Sequence, residues 1–272
     1  MQIHFRRKTF IRIIQWLIIL YALVGITLYY LQDQIIFRSV ALPKNYVFTF
    51  PKPFKEINLP YDKDANINII QFTVADSVQK GVVLYFHGNM KNINYYARLA
   101  DVFLENDYEV WMVDYPGYGK STGEMKEEYF YAYAEQLYKL AARNFAADSI
   151  VLYGKSLGSG IAAYIASRYP ARRLVLETPY YSFPSMASTY FPVYPVKRML
   201  RFEIPTYQYL ENLKIPVTIF HGTADRTIPL KNALKLQPLL KPSDQFIIIE
   251  KAKHNGISDL PEYRSTIDSL LQ

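Results

Sequence analysis

The chain has no cysteine among its 272 residues. Disulfides are therefore excluded, and oxidising and reducing compartments are equally open to it. A thiol nucleophile and thiolate metal ligands are excluded at the same stroke. Histidine is scarce, with four in all, and none clusters with glutamate at a metal-ligand spacing. No metal or organic cofactor is expected. Internal repeats and low-complexity linkers are absent. So is any basic run interleaved with stacking aromatics. The formal charge is +7, but Arg6, Arg7, Lys8 and Arg12 carry four of those charges in the N-terminal tail. The remaining charges are scattered, which argues against a nucleic-acid partner and for a basic surface facing anionic lipid.

What is present begins with Ile150 to Tyr153, an apolar β-branched run that reads as a buried strand. Gly154, Ser156 and Gly158 follow as G-x-S-x-G, and Ile161 to Ala166 then reads as a buried helix. This strand–turn–helix context makes the pentapeptide a nucleophile elbow, with Ser156 pushed out of the sheet on strained backbone. The following helix aims its N-terminal amides at negative charge forming there. Acyl transfer needs two amides for the oxyanion. One belongs to Leu157, and the other comes from the loop after the strand Val82 to His87, where Asn89 is the candidate. His87 itself is read as holding that loop by hydrogen bonds. Lys155 is read as a solvated or ion-paired lysine rather than a substrate contact.

An acid and a base are also in place. Asp225 follows the strand Val217 to Phe220, and Glu177 ends the strand Leu174 to Glu177. Either carboxylate suits the orientation of an imidazole, and an aspartate in such a turn equally serves as an N-cap or Asx turn. His254 follows the strand Phe246 to Ile249 and is the one histidine after the acid on a late loop.

Further strands are expected at Phe54 to Pro60, Asn66 to Val74 and Val110 to Asp114, and helices at Asn94 to Glu105, Glu127 to Asn144 and Ser156 to Arg168. Short strands apolar on both faces, alternating with helices, mean a mostly parallel doubly wound sheet with its site at the carboxyl edge. The segment 179–213 breaks the rhythm. Tyr180, Tyr181, Phe183, Met186, Tyr190, Phe191, Tyr194, Met199 and Phe202 make it an aromatic insertion suited to covering an acyl or other apolar group.

With these residues in place the chain resembles the α/β-hydrolases. It resembles in particular the membrane-anchored serine hydrolases with a short cap, known as "α/β-hydrolase domain-containing" or serine aminopeptidase-like. The matching pieces are His87-Gly88-Asn89, Asp114 to Ser121, Gly154 to Gly158, Glu177-Thr178-Pro179, Gly222 to Asp225, His254-Asn255 and, outside the membrane, Leu31 to Phe37. Pro116 departs from the pattern, since many relatives carry arginine there. The resemblance runs from about Leu28 to His254. It implies an α/β-hydrolase fold with a small cap, Ser156 as nucleophile, His254 as base and Asp225, rather than Glu177, as its orienter. Leu157 and Asn89 would supply the oxyanion amides. The implied reaction is hydrolysis of carboxylic esters or thioesters through an acyl-enzyme, with lipid-like or acylated substrates favoured. A peptidase or amidase is the alternative, and a non-catalytic membrane-tethered binding module is a further one.

From Ile13 to Tyr30 there is no charged residue. The run is long enough to span a bilayer, with Trp16 near one end and Tyr29 and Tyr30 at the other. The expected organisation is a basic tail at 1–12, a transmembrane anchor at 13–31 and a hydrolase domain at 32–272 with its cap at 179–213. The basic tail places the N-terminus in the cytoplasm and the domain in the periplasm or beyond. A cleaved signal peptide is the rival, though no clear A-x-A site follows the run. A hairpin inserted from the cytoplasmic side is a third arrangement.

Overall fold

The computed structural model describes the backbone from Gln2 to Gln272 and side chains from Thr9 onward. Of the residues to which the expected basic tail assigns charge, the side chains of Arg6, Arg7 and Lys8 lie outside the described residues. Helix α1 runs from Gln2 to Tyr30, and the short α2 follows at Gln32–Ile36. Within α1, Thr9–Tyr30 has a mean hydropathy of 2.0 over its most apolar stretch and is long enough to cross a membrane. Many of its apolar side chains are exposed, as at Trp16 and Leu17.

Eight strands form one sheet. They are β1 (Phe54–Pro60), β2 (Asn66–Phe72), β3 (Gly81–Phe86), β4 (Tyr108–Val113), β5 (Ile150–Lys155), β6 (Arg173–Glu177), β7 (Val217–Gly222) and β8 (Gln245–Ile249). Their order across the sheet is β1-β2-β4-β3-β5-β6-β7-β8. β3 to β8 are parallel, and β1 and β2 form an antiparallel edge hairpin docked on β4. Burial explains the composition of the central strands. Every residue of β3, β4 and β5 is buried, and the two-residue alternation of a strand sends neighbours to opposite faces. Val82, Leu84 and Leu152 join one core with helices α3 (Glu127–Ala141) and α4 (Leu157–Arg168). Val83, Tyr85, Val151 and Tyr153 join the other, under the C-terminal helix α6 described below.

Between β6 and β7 the segment 179–213 holds α5 (Phe183–Tyr190) and two shorter turns, Val196–Met199 and Thr206–Leu210. Ser182 caps α5 by accepting from the Ser185 amide, and Pro184 sits within its first turn. The last helix, α6 (Pro261–Leu271), buries Tyr263, Ile267 and Leu271 on one stripe.

The strand expected to reach Val74 ends at Phe72 and the helix expected to reach Asn144 ends at Ala141, and three larger details also depart from the sequence reading. The expected helix Asn94 to Glu105 is broken into Ile93–Tyr96, a 3₁₀ turn at Ala97–Ala100, and Asp101–Leu104. The i, i+3 spacing common to α and 3₁₀ helices does not separate the two. Strand β5 continues through Gly154 and Lys155, because both pair with β6. Helix α6 goes unread in the sequence, although Tyr263, Ile267 and Leu271 recur at i, i+4, i+8 behind Pro261.

The junction of β5 and α4 is so close that a Cβ on Gly154 would lie 2.6 Å from Ser159 Cα and 2.7 Å from Ala162 Cβ. Gly154→Ala is expected to cost about 1–3 kcal/mol through overpacking. Thermal unfolding with a lowered Tm checks this, and an unchanged Tm would contradict it.

Candidate functional site

The turn after β5 places Ser156 at φ 51°, ψ −117°, a region that L-residues occupy only when the surroundings impose it. Gly154 before it and Gly158 after it have no room for side chains. The Gly158 Cα faces the carbonyls of Phe86 and His87 from β3 and its following loop. The Ser156 amide donates to the Glu177 carbonyl at 2.9 Å, tying the turn to β6. Leu157 is the first residue of α4, so its amide has no acceptor within the helix.

His254 reaches Ser156 from the loop after β8. Its Nε2 lies 3.1 Å from Ser156 Oγ, and its Nδ1 lies 2.7 Å from Asp225 Oδ2. A carboxylate only accepts, so Nδ1 carries the proton, and Nε2 is left with its lone pair toward the serine hydroxyl. Asp225 divides its two oxygens. Oδ1 accepts from the amides of Thr227 and Ile228, both at 2.8 Å, while Oδ2 accepts from His254. The Asx-turn role and the imidazole-orienting position therefore coexist in one side chain. Burial alone raises the Asp225 pKa. The bonds from His254 and the Ile228 amide, with the pull of either nearby imidazole when protonated, hold its carboxyl below the usual range.

His221 lies near the end of β7. It is fully buried, its Nε2 donates to the Ile228 carbonyl at 2.9 Å, and its ring comes 3.6 Å from Asp225 Oδ2. Burial pushes its pKa down, so it is a neutral brace for the turn that holds Asp225.

The loop after β3 closes over the same point. A Cβ on Gly88 would sit 3.5 Å from Ser156 Cβ. Asn89 is pinned on three sides. Its carbonyl accepts from the Arg38 amide (2.9 Å) and the Tyr118 hydroxyl (3.0 Å), and its Nδ2 donates to the Ile36 carbonyl (2.6 Å). His87 is buried, and its ring nitrogens meet Asp114 Oδ1 at 3.1 Å and the Gly88 carbonyl at 2.7 Å. That is a loop-holding role. Tyr96 and Tyr115 pack on the ring.

Glu177, the alternative acid, lies elsewhere. It is fully buried at the end of β6, where it accepts from Tyr153 Oη and Lys155 Nζ. Its carboxylate is thus committed beneath the turn, while Asp225 faces His254. Lys155 is 4% exposed, so it is ion-paired and not solvated. Tyr263 extends this network by donating to Tyr153 Oη at 2.8 Å. Burial, with the Glu177 charge, pushes both tyrosines well above their ordinary pKa, and they stay neutral.

Ser156, Leu157, Asn89 and His254 open into one cavity of about 460 Å³. Its wall is largely apolar, with Phe183, Met186 and Met199 from the cap on one side and Leu28, Ile35 and Ile36 from the N-terminal helices on the other. Among the described residues no group of His, Asp and Glu is placed to hold a metal.

The model of the alpha/beta hydrolase fold family matches residues 81–201, the stretch from β3 through the elbow into the cap. The chain has the α/β-hydrolase fold. An uncharacterized protein of Mycobacterium tuberculosis is 25% identical over 190 residues, covering 69% of this chain and 67% of that one. Alpha/beta hydrolase domain-containing protein 17C of Xenopus tropicalis is 28% identical over 193 residues. That match covers 66% of this chain and 58% of the relative. The esterase Pf2001 of Pyrococcus furiosus superposes with a TM-score of 0.65 at 17% identity, over 86% of this chain and 97% of the esterase. A shared fold is what that superposition carries.

Removing one partner of the buried pair beneath the turn leaves the other charge unpaired. Glu177→Gln is expected to lower stability by about 3–5 kcal/mol. Combining Lys155→Met with Glu177→Leu should cost less than Glu177→Gln alone. Denaturant unfolding of both variants checks this, and equal losses would show that the pair is not the source of the cost.

Proposed function

We propose that this chain is a membrane-anchored serine hydrolase that cleaves carboxylic ester or thioester bonds. The observation that carries the reading is the unbroken bond chain from Ser156 Oγ through His254 to Asp225, at 3.1 and 2.7 Å, facing an apolar cavity. In the proposed reaction Ser156 Oγ attacks the acyl carbonyl while His254 Nε2 takes the hydroxyl proton. The oxyanion sits against the amides of Leu157 and Asn89, with the N-terminal end of α4 adding its dipole. Collapse breaks the bond to the leaving alcohol or thiol, which receives the proton from His254, and the acyl group remains on Ser156. Water then gives a proton to His254 and attacks the acyl-enzyme. The carboxylic acid leaves as the proton returns to Ser156. Asp225 stays ionised throughout, consistent with its lowered pKa, and stabilises the imidazolium. No metal or organic cofactor enters the scheme.

The anchor in this reading is Thr9–Tyr30, with the N-terminus in the cytoplasm and the hydrolase domain outside it. The basic residues before the apolar run support that orientation. The substrate is an acylated or lipid-like molecule, as the apolar cavity and the anchor favour.

Ser156→Ala and His254→Ala should each lower kcat by at least about 10⁴-fold, because the members of such a unit fail together. Asp225→Asn should lose about 10⁴-fold through the wrong histidine tautomer. Ester turnover by the folded variants reads this, and near-normal turnover in any of the three would remove that residue from the scheme. A reporter enzyme fused after Gln272 should be active only outside the cytoplasm. Cytoplasmic activity would reverse the topology.

A further inference from the structure

The helix that would anchor the domain is also built into its cavity. Leu28 of α1 and Ile35 and Ile36 of α2 line the space that ends at Ser156, opposite Phe183 and Met186 of the cap. Farther up the helix, the tip of the cap is docked on α1. The rings of Tyr21 and Tyr194 stack at 4.5 Å with their planes 1° apart. Tyr21 Oη donates to the Val193 carbonyl at 3.0 Å, and Tyr194 Oη donates back to the Tyr21 carbonyl at 3.1 Å. Gly25 makes the approach possible, since a Cβ there would lie 3.1 Å from the Tyr194 ring. Small residues serve this purpose where membrane helices pack closely.

The depth of this contact is informative. Tyr21 precedes Tyr30 by nine residues, which is about 14 Å along a helix rising 1.5 Å per residue. Half of a hydrocarbon core of about 30 Å is nearly the same length. A cap tip bound at Tyr21 therefore lies within the leaflet next to the domain, not above it. The composition of the tip agrees. No charged residue occurs from Phe183 to Val196, and the tip itself is Phe191-Pro192-Val193-Tyr194-Pro195. Val193 is 70% exposed, a cost in water and none in lipid. The amides of Phe191, Tyr194 and Val196 donate to the carbonyls of Ala187, Phe191 and Tyr194, and the two prolines have no amide to satisfy, which reduces the cost of irregular backbone at that depth. Polarity returns where α1 ends. Gln32 bonds to the Met199 carbonyl and the Arg201 amide, Arg201 pairs with Asp33 at 3.3 Å, and Lys197 and Arg198 are exposed. That is the level at which basic groups meet anionic headgroups.

We propose that α1 and the cap tip together form a passage from the bilayer to Ser156, so that the site takes the long acyl chain of a membrane-resident ester or thioester directly from the lipid phase, with Leu28 and Ile35 as part of the acyl-chain wall. The proposal rests on the serine-hydrolase reading for its chemistry, but not for its geometry.

The experiment uses the full chain in phosphatidylcholine vesicles. The absence of cysteine makes Val193→Cys a single labelling site for an environment-sensitive fluorophore. Val78→Cys, on the loop between β2 and β3 at the opposite edge of the sheet, is the control. A spin label midway down a lipid acyl chain should quench the Val193 fluorophore more strongly than a headgroup spin label does, and should leave Val78 unaffected. Quenching at Val193 no greater than at Val78 would overturn the proposal. In the second arm, Leu28→Trp fills the passage. The ratio of kcat/KM for the nitrophenyl palmitate to that for the butyrate should fall by at least about tenfold, since discrimination among apolar groups is set by the pocket they fill. Ile35→Trp serves as the second block should Leu28→Trp not fold. A parallel loss on both esters, or no change in either ratio, would overturn the wall assignment. Fluorophosphonate labelling of the same samples separates the two readings. Unlabelled Ser156 with a quenched Val193 would sink the serine-hydrolase reading alone, whereas labelled Ser156 with a water-exposed Val193 would sink the passage alone.

Discussion

The structure depends on one strained residue held between two elements that leave it no alternative. Ser156 sits at φ 51°, which costs of order 1–3 kcal/mol. The sheet and α4 impose it by closing on Gly154 and Gly158 until neither has space for a Cβ. Hydrogen bonds from the Ser156 amide to β6 and from Ser159 Oγ to the Ser156 carbonyl (2.6 Å) lock the turn from both sides. The strain brings the serine hydroxyl to the carboxyl edge of the sheet, where three other loops converge. The loop after β3 passes over it, the loop after β7 brings Asp225, and the loop after β8 brings His254. A parallel sheet makes this convergence possible, because all of these strands point the same way.

Polar groups beneath the site are spent on holding it. Lys155 and Glu177 neutralise each other within the wall of the turn, and Tyr153 and Tyr263 complete their bonds. His87 with Asp114 fixes the covering loop, and His221 fixes the turn that presents Asp225. Among the histidines with described side chains, His254 is the one whose ring keeps partial exposure, 12% of its side chain. It therefore retains access to the cavity, while His87 and His221 are sealed in. The same residue type thus brackets the site twice as structure and occupies it once.

Much of this was legible in the sequence, and the reasons are local. Gly154-Lys155-Ser156-Leu157-Gly158 encodes its turn within five residues. β3 and β5 carry their burial as near-unbroken apolar runs, and Asp225 and His254 each follow the end of a largely apolar strand. What was not legible depends on chain-distant contacts. Lys155 read as a solvated or paired lysine, and only β6 lying alongside β5 decides for the pair. Glu177 matched Asp225 as a carboxylate at a strand end, and only the third dimension turns one inward and the other toward His254. The joining of Tyr21 to Tyr194 spans 173 positions, and no periodicity or motif in α1 announces that a membrane-length helix also lines a cavity. Helix α6 was readable from its i, i+4 stripe, but its polar outer face diluted the signal.

The central claim is that Ser156 is an activated nucleophile. Mass spectrometry of the full chain after exposure to a fluorophosphonate in phosphatidylcholine vesicles tests it most directly. The account predicts a single adduct on Ser156 that forms in the wild type and fails to form when His254 is replaced by alanine, with the fold retained. No adduct on a folded wild-type chain, or an adduct that forms equally well without His254, would contradict it.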